Sequence, residues 1–174
     1  RENRIITDLL TLVKMDKKNA DLQIQHMSIN QLLEDILKRL RPIADKRNID
    51  LILDSFRPVE ADVDELKFTS AISNLVENAI KYNVDDGWVR VSLDADHKFF
   101  YVTVADSGMG IPEDSLSRIF ERFYRVDKSH SREIGGTGLG LAITRSTIGM
   151  HHGVIKVFSK EGEGTTFSVR VPLS

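Results

Sequence analysis

A chain of 174 residues with 41% hydrophobic and 29% charged positions is long enough to bury one full core and to carry a modest appendage. Its formal net charge of -2, with no long Lys/Arg run, gives no electrostatic reason to expect nucleic acid as a partner. No cysteine occurs, so a disulfide framework and cysteine-ligated zinc are both excluded and a reducing compartment is permitted. No apolar stretch approaches the length of a membrane span and no signal peptide opens the chain, so no membrane contact is expected of this segment. The chain starts at Arg1 within a helical pattern, which reads as a fragment of something longer.

From Arg1 to about Lys18, Ile5, Ile6, Leu9, Leu10, Leu12 and Val13 recur at three- and four-residue intervals and predict an amphipathic helix that needs a partner. A polar linker, Lys17 to Gln25, follows. Ser28 and Gln31 have capping-box spacing, so a helix is predicted from Ser28, and Pro42 is expected to kink or end it locally. Ile49 to Asp54 alternates loosely as a strand. Asp62 and Glu65 again have N-cap spacing, ahead of a long helix.

That helix carries Asn74-Leu75-Val76-Glu77-Asn78-Ala79-Ile80-Lys81-Tyr82. At about 100° per residue, Asn74, Glu77, Asn78 and Lys81 form one narrow polar stripe, and Phe68, Ile72, Leu75, Val76, Ala79 and Ile80 fill the opposite face. Amide and carboxylate oxygens suit Mg2+ and an ammonium suits phosphate, so the stripe has the makings of a nucleotide site. A solvated stripe with Glu77 and Lys81 paired at i, i+4 accounts for the same spacing.

Asp85-Asp86-Gly87 predicts a turn into a strand from Trp88 to Leu93, and its partner, Phe99 to Ala105, follows a polar turn at Asp96-His97-Lys98. The second strand runs through Val102-Thr103-Val104-Ala105 into Asp106 and then a glycine loop, Ser107-Gly108-Met109-Gly110-Ile111-Pro112. Ile119-Phe120-Glu121-Arg122-Phe123-Tyr124-Arg125 comes next; Phe120 and Phe123, at helix-turn spacing, are expected to be structural. Arg125 to Gly135 is polar and glycine-bounded and is expected to act as a mobile lid that nucleotide orders. The cluster Gly135-Gly136-Thr137-Gly138-Leu139-Gly140 offers backbone N–H groups to phosphate at the start of a helix. That helix is predicted from Leu139 to about Met150, with Gly153 placed to stop it and His151 and His152 read as capping or solvated residues. Val154 to Ser159 and Thr165 to Val171 flank Glu161-Gly162-Glu163-Gly164 as a last hairpin. Repeats and low-complexity segments are absent from the sequence. The sum is an α+β protein: a two-layer α/β sandwich with helices on one face of a mixed, mostly antiparallel sheet, preceded by an N-terminal helix.

Each glycine motif alone is weak, but the order and spacing of the stripe, the Asp106 loop, the Phe120/Phe123 segment and the Gly135–Gly140 cluster are far more specific. Together they resemble the N, G1, F and G2 boxes of the ATP-binding domain of sensor histidine kinases, in the broad group of PhoR- and WalK-type kinases. The wider superfamily includes gyrase, the Hsp90 chaperones and MutL, and the resemblance runs from about Ser28 to Ser174. It implies the Bergerat-type ATP-binding fold over residues 26–174, with residues 1–25 as the end of the dimerisation and phosphoacceptor helix and its linker.

The resemblance also implies roles, with ATP and Mg2+ as cofactors. Asn78 is similar to the Mg2+ ligand, supported by Asn74. Asp106 is similar to the residue that accepts a hydrogen bond from the adenine amino group. Lys81, Tyr82 and Arg125 resemble contacts to ribose or phosphates, with Arg125 stabilising the transferred phosphoryl group. Gly108, Gly110 and Ile111 line the base end, and Gly136, Thr137, Gly138, Leu139 and Gly140 the phosphate end, with Arg132 as a second phosphate contact. Glu77 resembles the acid that polarises the acceptor imidazole for in-line attack on the γ-phosphate. Asn83 departs from the Thr or Ser frequent at its position.

None of the five histidines, His26, His97, His130, His151 and His152, has the His-Glu-Leu-Arg-Thr-Pro type of context that the family's acceptor occupies. The acceptor is therefore expected on the chain's own dimerisation domain, in a full-length homodimer that relays phosphate to a cognate response regulator. A cytoplasmic location is implied, with the parent anchored in the bacterial cell membrane. Two alternatives belong to other classes: a hydrolytic relative of the gyrase or chaperone kind, and a nucleotide-binding module without phosphotransfer. The Phe-containing segment and the N-terminal helix weigh against the first; Glu77, Asn78 and Asp106 weigh against the second.

Overall fold

Alternation builds the central layer. In a computed structural model, which describes residues 6–10, 21–124 and 140–174, Val89, Val91 and Leu93 of β4 (Trp88–Ala95), Phe100, Val102 and Val104 of β5 (Phe99–Asp106), and Phe167, Val169 and Val171 of β7 (Gly164–Pro172) are all buried. These side chains share one sheet face because successive residues of a strand point to opposite sides. With β2 (Asp50–Ser55) and β6 (Val154–Lys160) as edges, the sheet order is β2-β4-β5-β7-β6. Only the β2/β4 pair is parallel, so the sheet is mixed and mostly antiparallel.

Three helices cover the apolar face: α1 (Ile29–Asp45), α2 (Glu65–Lys81) and α3 (Gly140–Met150). α2 lies across β4 and β5, α1 against β2 and α3 against β6. Phe68, Ile72, Leu75, Val76, Ala79 and Ile80 of α2 are buried against the strands. The Phe68 ring meets Phe100 edge-on at 5.7 Å between centroids, and truncating such a buried Phe costs about 3–5 kcal/mol. Residues 6–10 are helical, and Leu9 packs on Ala142 and Ile143 of α3.

Local signals are met with some displacement. Ser28 caps α1 by accepting the Gln31 N–H at 3.2 Å, but the Gln31 side chain turns to Asp35 and completes no reciprocal box. α1 does not end at Pro42 but continues to Asp45. Both Pro42 and Lys38, whose carbonyl loses its donor, are solvent-exposed, so water compensates the missing bond, while burial of Ala44 holds the last turn. The helix stops at Asn48, whose φ of 54° lets the Ile49 N–H return to the Ala44 carbonyl. The N-cap of α2 is Asp64, not Asp62; its carboxylate accepts the Lys67 N–H at 3.0 Å.

Asp62 lies instead in β3 (Glu60–Asp64), which pairs antiparallel with β1 (Ile24–Ser28) as a separate ribbon. Sequence reading finds neither strand, because β1 is almost wholly exposed and lacks alternation; cross-strand pairing, including His26 Nδ1 with Asp62 at 2.7 Å, holds it in place. His151 is no solvated cap. It is 6% exposed, sits edge-on to Phe68, accepts the Asp64 N–H at Nε2 and contacts the Thr147 carbonyl through Nδ1. The left-handed residue that ends α3 is His152, with φ 60°, and Gly153 follows it, returning its N–H to Ile148.

Candidate nucleotide-binding site

The polar stripe of α2 is present as a half-buried band: Asn74, Glu77, Asn78 and Lys81 are each partly exposed beside fully buried neighbours. At Asn74 the stripe is tied to α3. Its Nδ2 donates to Thr144 Oγ1 at 3.0 Å, and its amide packs so close to the first residue of α3, Gly140, that any Cβ there would meet it at 2.6 Å. The first described residue of α3 therefore abuts the carboxamide stripe. Asn74, Glu77, Gly140 and Thr144, with Ser73, Arg39 and Asp8 from the flank, line a groove of about 560 Å³ whose lining includes neither Asn78 nor Asp106.

The C-terminal end of α2 meets the glycine loop. Met109 N–H donates to the Tyr82 carbonyl at 3.2 Å, and Gly108 lies against that same carbonyl. The loop is stapled on its other side to the β6–β7 hairpin: Ile111 N–H donates to Ser159 Oγ at 2.8 Å, Gly162 N–H to the Met109 carbonyl at 2.8 Å, and Gly110, with φ 73°, closes on the Lys160 carbonyl.

Asp106 sits at the end of β5, where the strand enters the loop. Its Oδ1 accepts the Gly108 N–H at 2.8 Å and the Thr165 N–H at 3.2 Å. Among the described residues no hydrogen bond reaches Oδ2. Burial pushes the carboxyl up to about 6, against the opposing pull of those two N–H donors. Removal of a carboxylate from water disfavours its charged form, and two amide donors offset only part of that cost. The geometry leaves one oriented acceptor at the edge of a glycine loop.

No group of three or more His, Asp or Glu side chains among the described residues is arranged to hold a metal ion. A divalent ion here would depend on phosphate oxygens and water beside a single amide oxygen, which is the way Mg2+ usually binds with nucleotides. Asn78 suits that amide role. Arg125, Arg132, Gly136, Thr137, Gly138 and Leu139, with the expected lid, lie outside the described residues.

The aromatic pair separates. Phe120 packs on the core, edge-on to Phe167 at 6.3 Å, as a structural residue should. Phe123 is 52% exposed at φ 66°, because the segment forms turns and no helix sets its spacing. Sequence reading also passes over Ser107, Thr165 and Arg47. Asn83, noted only as a departure, is buried and bridges several backbone groups. A buried Asn is recognisable by its partners, and those come from β4 and β5.

An α/β sandwich with a carboxamide stripe, a strand-end carboxylate and a glycine-entered helix on one rim defines a nucleotide-binding protein of a specific architecture. Residues 63–174 match the family model of histidine kinase-, DNA gyrase B-, and HSP90-like ATPases, and the chain belongs to that family. It is 35% identical over 172 residues to the sensor histidine kinase WalK of Bacillus subtilis, covering 97% of this chain and 28% of the relative. It is 35% identical over 168 residues to the phosphate regulon sensor protein PhoR of Pseudomonas aeruginosa, covering 97% of this chain and 38% of the relative. The chain thus spans roughly a third of the length of the curated relatives it matches. Among solved structures, the nucleotide-free catalytic domain of histidine kinase ThkA superposes with TM-score 0.77 at 26% identity, covering 87% of this chain and 97% of that one. Full-length ShkA in complex with AMPPNP superposes with TM-score 0.87 at 25% identity, covering 98% and 35% respectively.

Proposed function

We propose that this chain is the ATP-binding catalytic domain of a sensor histidine kinase, which transfers the γ-phosphoryl group of ATP to a histidine on a phosphoacceptor domain. The observation that carries the reading is Asp106: two backbone N–H groups fix one carboxylate oxygen, and the other has no hydrogen bond among the described residues. An ionised acceptor in that position accepts the exocyclic amino hydrogen of adenine and repels the carbonyl that guanine presents instead.

The remaining roles follow the chemistry of each side chain. Asn78 would hold Mg2+ through its amide oxygen; the ion supplies charge neutralisation to the phosphates when bound. Lys81, Tyr82, Arg125 and Arg132 contact ribose and phosphates, and Gly136, Thr137, Gly138, Leu139 and Gly140 present backbone N–H groups to the phosphate end. Glu77 lies in the groove beside Asn74 and Gly140. There it accepts the proton of one imidazole nitrogen while the other nitrogen attacks phosphorus in line; the bond from phosphorus to the bridging oxygen breaks and ADP departs.

Residues 1–25 read as the end of the dimerisation helix and its linker, a division that overlaps the start of β1 at Ile24. The homodimeric parent would pass phosphate to an aspartate of a cognate response regulator. Among the described residues no helix is long and apolar enough to cross a membrane, and a membrane anchor would belong to the remainder of the parent. Incubation with labelled ATP, with and without the parent's phosphoacceptor domain, tests the reading. Acid-labile label on that domain is the expected result; release of free phosphate alone would favour a hydrolytic enzyme.

A further inference from the structure

Arg47 lies beyond the end of α1, far in sequence from every expected site residue, yet its guanidinium closes the C-terminus of α2. Nη1 donates to the Ile80 carbonyl at 2.5 Å and to the Lys81 carbonyl at 3.0 Å; Nη2 donates to the Asn83 carbonyl at 2.6 Å. Nε pairs with Asp85 at 2.9 Å. One cation thus takes up the Lys81 and Asn83 carbonyls and adds a bond to the Ile80 carbonyl, which already accepts the Asn83 N–H, at the negative end of the dipole.

The same network continues from Asn83 to the loop that bears Asp106. Asn83, 3% exposed, donates through Nδ2 to the Trp88 carbonyl at 3.0 Å. Its Oδ1 accepts the Val84 N–H at 2.8 Å and the Ser107 hydroxyl at 3.0 Å, and Ser107 Oγ accepts the Trp88 N–H at 2.8 Å. Gly87 makes room for this junction, since a Cβ there would stand 2.5 Å from both Asn83 Oδ1 and Ser107 Oγ. An unbroken chain of bonds therefore joins the end of α2, where Lys81 and Tyr82 stand, to the residue next to Asp106.

We propose that Arg47 and Asn83 are positioning residues of the nucleotide site: Arg47 fixes the end of α2, and Asn83 transmits that position to the Asp106 loop. The proposal rests on the nucleotide reading given above. Two halves of one ligand, base and phosphates, are held by different elements, and affinity depends on their separation being set before binding. A surface arginine capping a helix for stability alone would have no need of the buried Asn83–Ser107 bridge.

The test compares Arg47→Met, Arg47→Lys and Asn83→Ala with Arg41→Met. Arg41 donates to the Leu51 carbonyl from the same helix but touches neither α2's end nor the loop, so its loss is a control for general destabilisation. MgATP affinity is measured by calorimetry well below each melting midpoint, and the Gly108 and Met109 amides are followed by NMR. Arg47→Met and Asn83→Ala should each weaken MgATP binding by about tenfold and shift both amides. Arg47→Lys should recover part of the loss, and Arg41→Met should change neither. Equal affinities for Arg47→Met and Arg41→Met at matched stability, with the loop amides unmoved, would overturn the clamp and leave the nucleotide reading standing. Should Arg47→Met fail to fold, Asn83→Ala, which keeps the Arg47 bond to the main chain, decides by the same two readouts. Failure of the wild-type chain to bind ATP would overturn the nucleotide reading itself.

Discussion

Asp106 Oδ1 lies 2.8 Å from the Gly108 N–H, so the carboxylate at the end of β5 closes the glycine loop that follows it. The same oxygen takes the Thr165 N–H at 3.2 Å, so both structural bonds of Asp106 fall on Oδ1. Asp106→Asn, with its amide oxygen in the place of Oδ1, should keep both bonds and the fold. ATP affinity should fall by a hydrogen bond to a charged group, about 1–3 kcal/mol, in a calorimetric titration. An unchanged affinity would remove Asp106 from the base site.

The raised carboxyl of Asp106, at about 6, fixes the sign of a pH effect. The native state holds this proton more tightly than the unfolded chain, so the stabilisation is complete below the ordinary carboxyl value near 4 and is lost as pH rises through about 6. Asp106→Asn lacks that term. Its melting temperature relative to wild type should therefore climb between pH 4 and 6 and level off above. ATP affinity of the wild type should fall below pH 6 as the acceptor oxygen is protonated, and a flat difference in both quantities would contradict the burial argument.

Asn74 and Thr144 couple α2 to the helix that the glycine cluster enters. Thr144→Val keeps the shape of a fully buried side chain but leaves Asn74 Nδ2 without its acceptor, at a cost of about 1–3 kcal/mol. Chemical denaturation should register that loss, and ATP binding should weaken with it because α3 carries Gly140. A variant as stable as wild type would show that the amide finds another partner at no cost.

Asn78→Ala should remove the metal-dependent part of nucleotide binding, so that titrations with and without Mg2+ converge. A full metal effect surviving in the variant would place the ion on other groups.

Glu77→Gln separates transfer from binding. If the carboxylate acts on the acceptor imidazole, ATP affinity stays within a few-fold while phosphotransfer to an added acceptor domain drops by about 10²–10⁴, the range for a lost general base. The chain alone should bind ATP and accumulate no phosphohistidine. Loss of nucleotide binding along with transfer would mark Glu77 as a nucleotide-side or structural residue instead.

What the sequence determined by itself were features with local or periodic causes. The buried and polar faces of α2 follow from a 3.6-residue period, and the strands β4, β5 and β7 from alternation; a glycine loop after Asp106 follows from its composition. The order of those motifs pointed to nucleotide chemistry and to the family. Tertiary structure decided what depends on partners distant in the chain. β1 and β3 pair with each other across 36 residues between His26 and Asp62; β1 has no alternation to announce it, and the alternation of β3 is only five residues long and runs straight into the N-cap of α2. His151 is buried because Asp64 and Phe68 surround it, where a reading of the helix end alone leaves it in water. Arg47 reaches the end of α2, 33 residues away from Ile80, through no motif at all. Hydrogen-bond partners with large sequence separation carry no periodic signature, so only the folded chain reveals which polar groups are satisfied and which oxygen of Asp106 closes the loop.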